Sequence, residues 1–194
     1  MSRRGLRTLP ARSSTPPVAL VWLRRLENVV VVALVGILIA TVADRVERLR
    51  VAAEAVAVAR VTSAVRAGLA NALFRAAVRG GPARWQRLLV RNPMSFLALP
   101  PARYAGTFRH LPPHLRPGWW YYDQAHRLLV YAVRARRHFV TSLPPPPRIE
   151  WRLAPVYDAR THTPSNIVGV ALRRVAPYHW TGVARRVAGI HGRR

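Results

Sequence analysis

The chain has no cysteine, so neither a disulfide framework nor a thiolate metal site is available to it, and periplasmic and cytosolic placements are equally compatible with that absence. Lysine is missing too: all 32 residues of the Lys and Arg class are arginine. Carboxylates are scarce. There are seven, and Glu27, Asp44, Glu47 and Glu54 fall early, leaving Asp123, Glu150 and Asp158 for the rest. General acid–base chemistry needs neighbouring titratable groups, and nucleophilic catalysis needs a base with its orienter. With so few acids, and no nucleophile elbow, phosphate loop or zinc motif, neither an enzyme nor a cofactor site is expected.

The other side of that scarcity is a net charge of +25, which ordinarily points to nucleic acid or an anionic surface. The arginines, however, run along the whole chain instead of forming blocks. Arg, Ala, Val, Leu and Pro dominate, as they do in proteins of GC-rich genomes. That distribution fits a solvated basic surface better than a dedicated stripe, and leaves nucleic-acid binding as the alternative function.

What the chain does have is one long apolar run. From Asn28 to Ala43 no residue is charged, and at 1.5 Å per residue this covers about 24 Å, close to the roughly 30 Å of a hydrocarbon core once flanking arginines snorkel. A single membrane-spanning segment is predicted over residues 22–43. Residues 1–21 combine Arg, Ser and Pro without apolar periodicity and read as a disordered basic tail. With Arg24 and Arg25 they favour a cytoplasmic N-terminus and a periplasmic remainder at an inner membrane, although Arg45, Arg48 and Arg50 beyond the run reduce the asymmetry. A cleaved secretory signal ending near Thr41-Val-Ala43 is the competing reading.

Residues 44–80 contain no proline, and Val46, Leu49, Ala53 and Val56, then Val58, Val61, Val65, Leu69 and Leu73, recur at three- and four-residue steps. This predicts an amphipathic continuation of the membrane helix, stopped at Gly80-Gly81-Pro82, with Asp44–Arg48 and Arg50–Glu54 pairs one turn apart. Residues 81–118 read as a Pro- and aromatic-rich connecting loop with a short helix near 83–90. Strand patterns lie at 119–122, 128–133, 149–153 and 168–174, separated by Leu143-Pro-Pro-Pro-Pro147 and residues 158–166, so that 119–181 forms a small antiparallel sheet against the helix. Residues 182–194 read as a basic tail. The expected fold class is α+β.

A glutamate-led membrane helix (Glu27, Val29-Val-Val-Val-Ala-Leu-Val-Gly36) that continues into an amphipathic half and ends on a small sheet resembles the type IV pilin and type II secretion pseudopilin superfamily. Asn92-Pro93, Tyr104-Ala-Gly106 and Pro117-Gly118-Trp-Trp120-Tyr-Tyr122-Asp123 are similar to the loop-to-first-strand passage of that family. The resemblance implies a pilin-like fold, a non-enzymatic role in a secretion or pilus-like assembly, and partners met through the membrane helix. It places Glu27 and Gly36 at the family's assembly glutamate and a glycine beyond it. Where the family's peptidase cuts between Gly and Phe, this chain has Val21 and Trp22, so it lacks a standard cleavage site.

Each candidate residue also has a plainer reading. Glu27 is either the assembly carboxylate or an interfacial one satisfied by Arg24 or solvent. Trp119 to Tyr122 could stack bases, but alternating aromatics on a strand more often fill a core. Asp123 reads as a turn acceptor. His110 and His114 bracket Leu-Pro-Pro, which denies them helical spacing, and the segment 158–166 offers one carboxylate to a calcium ion, so no metal site is expected.

Overall fold

The computed structural model describes residues 18–80, 82–157 and 167–181. The N-terminal tail over 1–17, the predicted turn at 158–166, Gly81 and the C-terminal tail at 182–194 lie outside the described residues. The chain divides into two compact units, residues 1–46 and 47–194. Helix α1, Val18–Gly80, begins in the first and ends in the second.

In the first unit the large apolar side chains described on α1 are all exposed, from Trp22 and Val29 through Leu34, Ile37 and Ile39 to Val42. Such a surface is unfavourable in water. The helix is long and apolar enough to cross a membrane, and it lies near the N-terminus.

The second unit is α+β. After α1 come α2 (Pro82–Leu89), a 3₁₀ turn η1 (Pro93–Phe96), and strands β1 (Tyr104–Phe108), β2 (Trp120–Asp123) and β3 (Leu128–Ala132). Next are a second 3₁₀ turn η2 (Arg136–His138), β4 (Phe139–Thr141), β5 (Arg148–Tyr157), β6 (Ile167–Arg174) and β7 (Tyr178–Trp180). The main sheet has the order β1-β2-β3-β5-β6, and β4 pairs with β7 in a separate ribbon. All pairings are antiparallel except β1 with β2, which run parallel.

That parallel edge strand corrects the reading of 81–118 as connecting loop. Besides the expected short helix, α2, the segment contains η1 and β1. The strand signal is weak because β1 is five residues long, half-buried, and interrupted by Gly106 at φ 110° where the register with β2 shifts.

The sheet is covered on both faces, which is why every residue of β2 is buried. On one face Trp120, Leu129, Tyr131, Ile149, Trp151 and Leu172 pack with Val58 and Val65 of α1. Register places Trp120 opposite Tyr131 and Leu129 opposite Trp151, and the Trp120 and Trp151 rings stack at 5.3 Å. On the other face Tyr121, Val130 and Ala132 lie beneath Phe108, Leu111, Leu115 and Trp119. The Pro-rich stretch before β2 is thus a lid on the sheet. At the far end α2 fills the space between Leu69 and Ala72 of α1 and Val170 of β6 through Trp85 and Leu88.

The apolar stripe of α1 also needs correction. Its buried positions are Val51, Val58, Thr62, Val65, Leu69, Ala72 and Ala76. These recur every three, four or seven residues and form one face. Val46, Leu49 and Val56 are exposed by 41%, 65% and 52%, and Ala53 is exposed as well. Two residues turn a helix by roughly 200°, so Leu49 and Val56 stand almost opposite Val51 and Val58. The single stripe expected from periodicity is two stripes on different faces.

Candidate functional site

The sequence-derived candidates fall into three groups. The first is Glu27 and Gly36, both on α1 within the first unit. Glu27 is exposed, and the side chain of its expected partner Arg24 lies outside the described residues. A Cβ built at Gly36 would meet nothing within 4 Å. Nothing inside the described chain therefore requires glycine at this position.

The second group knits the start of the sheet together. Asn92 caps η1 by accepting the Met94 N–H at 2.9 Å, and its amide donates to the Tyr104 hydroxyl at 2.6 Å and the Thr107 Oγ1 at 3.0 Å. Pro93 occupies the first turn of η1 and is buried. The Asn-Pro pair and Tyr104 are thus brought into contact across 12 residues. Pro117 leads into Gly118, which has φ 80° and donates its N–H to the Ala132 carbonyl at 2.6 Å. The Arg103 and Arg134 guanidinium groups close over this glycine, and a side chain there would meet them at 3.1–3.2 Å. Trp120 and Tyr122 are each only 3% exposed, as is Tyr121 between them. These aromatics fill the core, and their faces are not available to bases. Trp119 alone of the four is partly open, with the Arg116 guanidinium 5.8 Å from its ring.

The third group is Asp123. Its Oδ1 accepts the His126 backbone N–H at 3.0 Å, the turn-forming bond expected of an Asp at a strand end. Its Oδ2 lies 2.9 Å from His126 Nδ1. Burial alone would raise the Asp123 carboxyl, but hydrogen bonds from the His126 backbone and ring, the nearby imidazole charge and the Leu111 N–H together hold it below its ordinary value. His110 and His114 are not brought to one site. It is His126 that His110 meets, with ring centroids 6.0 Å apart.

Two features escape sequence reasoning. One is the free face Leu49, Ala53 and Val56. The other is Glu54, which helical spacing pairs with Arg50. In the fold Arg50 lies 3.7 Å from Glu47, while Glu54 accepts the Tyr131 hydroxyl at 2.9 Å and the Arg134 and Ala135 backbone N–H groups at 2.7 and 2.9 Å. Three donors at the end of a strand outcompete one solvated guanidinium. Burial raises the Glu54 carboxyl above its ordinary value, against the lowering effect of its bonds from Ala135 and Tyr131.

The sequence matches no known family model, no curated protein and no solved structure.

Proposed function

We propose that this protein is a non-enzymatic, membrane-anchored, pilin-like component of a type II secretion or type IV pilus-like assembly, acting by lateral packing of α1 against helices of other subunits. In this reading the segment over 22–43 crosses the inner membrane, the N-terminus is cytoplasmic and the sheet-bearing unit is periplasmic. The observation that carries it is the free apolar face of α1. Leu49, Ala53 and Val56 are exposed on the side of the helix turned away from its own sheet, at the three- and four-residue steps that interlock helices. A helix already satisfied by its own domain has no internal use for a second apolar face. Val32, Val35, Ile39, Val42 and Val46 continue the same steps back through the apolar run. Arg45 and Arg50 flank the face, so two copies in parallel register would oppose like charges, which favours a different subunit as the neighbour.

The nucleic-acid alternative keeps the +25 charge as its support, but Trp120, Tyr121 and Tyr122 are buried and offer no stacking platform.

A photo-crosslinking residue at position 49, in membranes of the native cell, tests the proposal. Adducts to a protein with an apolar N-terminal helix are expected there, and none from the buried position 62. Crosslinks to lipid alone would overturn it.

A further inference from the structure

We propose that His110, Asp123 and His126 form a binding site for a divalent transition-metal ion of the zinc class. The three side chains come from separate segments: His110 lies just beyond β1, Asp123 closes β2, and His126 sits in the turn between β2 and β3. Each offers one ligand atom, and those three atoms all lie within 4.8 Å of one another. Metal–ligand bonds of about 2.0–2.2 Å place tetrahedral ligands about 3.4 Å apart. Both imidazoles are exposed, so their side chains have room to turn as the ligands close from 4.8 Å.

The backbone is what makes the cluster more than a chance meeting. Phe108 pairs with Asp123 in the parallel β1–β2 register. Beyond it, the Gln124 N–H donates to the Phe108 carbonyl at 2.8 Å and the Ala125 N–H to the Arg109 carbonyl at 3.0 Å. His110 is therefore held from its N-terminal side by the turn. From its C-terminal side it is held by Leu111, whose N–H bonds to Asp123 and whose side chain packs on the outer face of the sheet. His126 is fixed by its own N–H on Asp123 Oδ1, and its ring Nδ1 lies 2.9 Å from Oδ2, a contact whose place the metal ion would take. Asp123 is 3% exposed while both histidines are exposed, so the carboxylate forms the floor of the site and the imidazoles its open mouth.

Two imidazoles and one carboxylate suit zinc, copper, nickel or cobalt, whereas calcium and magnesium require a shell of oxygens that one carboxylate cannot supply. Three protein ligands leave coordination positions for water or a side chain from another protein. Arg109 and Arg127, next to His110 and His126 in the sequence, carry like charge and oppose a cation. This departs from the expectation of no metal site, which weighs His110 only against His114. The partner that matters is brought alongside by the β1–β2 pairing.

The experiment uses the full chain in detergent, stripped with chelator and titrated calorimetrically with zinc chloride and separately with calcium chloride. One zinc per chain is expected, and no calcium. His110→Ala and His126→Ala should each weaken zinc by at least the about 10–100-fold that loss of even an outer partner of a metal ligand costs. His114→Ala should bind as the parent does. The His110 ring is exposed, so metal-free His110→Ala should melt with the parent, whereas His126→Ala removes the ring's bond to the buried Asp123 Oδ2 and should melt lower; His110→Ala alone decides the matter if His126→Ala does not fold. Zinc binding unchanged in His110→Ala, equal loss in His114→Ala, or no zinc binding at all would each overturn the site.

Discussion

The Tyr131 hydroxyl donates to Glu54 Oε1 at 2.9 Å across 77 residues of sequence, tying the third strand of the sheet to α1. The same carboxylate receives the Arg134 and Ala135 N–H groups where the chain leaves the strand, so one side chain of the helix satisfies three donors of the sheet. Glu54→Ala leaves all three without a partner. A loss of about 1–3 kcal/mol in unfolding free energy is expected, measured by denaturant titration of the detergent-solubilised chain. An unchanged midpoint would show that water replaces the carboxylate without penalty.

The same residue sets a pH dependence. Its carboxyl is raised above the ordinary 4.5 in the fold, chiefly by burial, so the folded state takes up this proton more readily than the unfolded chain. Stability from this linkage is complete below 4.5 and is lost as pH rises through the raised folded value. Relative to Glu54→Gln, which does not titrate, the parent should gain stability as the pH falls from neutral toward 4.5. A parallel course of the two midpoints would contradict the shift.

Gly68 and Gly36 separate two reasons for glycine in one helix. A Cβ at Gly68 would lie 2.2 Å from the Phe96 carbonyl oxygen and 2.9 Å from its carbon, both backbone atoms, whereas at Gly36 it meets nothing. Gly68→Ala should destabilise by about 1–3 kcal/mol despite the better helix propensity of alanine. Gly36→Ala should melt as the parent does in thermal circular dichroism, and any defect should surface instead in association with partners.

Leu49 and Val58 test the two faces of α1. Leu49→Asp alters an exposed position and should change stability by no more than about 0.5 kcal/mol. Val58→Asp places an unpaired charge in the main core and should cost more than about 3 kcal/mol. If helix packing with another subunit is the role of the free face, Leu49→Asp should abolish co-purification from native membranes while leaving the domain folded.

The apolar run, the long helix and most strand positions are legible in the sequence because each depends on a local pattern: an unbroken stretch of uncharged residues, three- and four-residue steps without proline, and β-branched or aromatic clusters between turns. The edge strand β1 is not, because Gly106 and neighbouring prolines mask it and its hydrogen bonds go to residues some 15 positions away in the parallel register with β2.

By itself, then, the sequence determined an apolar helix able to cross a membrane and an α+β class for the remainder of the chain. Periodicity establishes that a helix has apolar faces, but not which of two faces another element will cover, since Leu49–Val56 and Val51–Val58 satisfy the same spacing. Only the tertiary structure decided that the sheet takes Val51, Val58 and Val65, that Glu54 serves the strand instead of Arg50, and that His110 meets His126 over Asp123. Each of these is a contact between residues distant in the chain, settled by how strands register and faces pack.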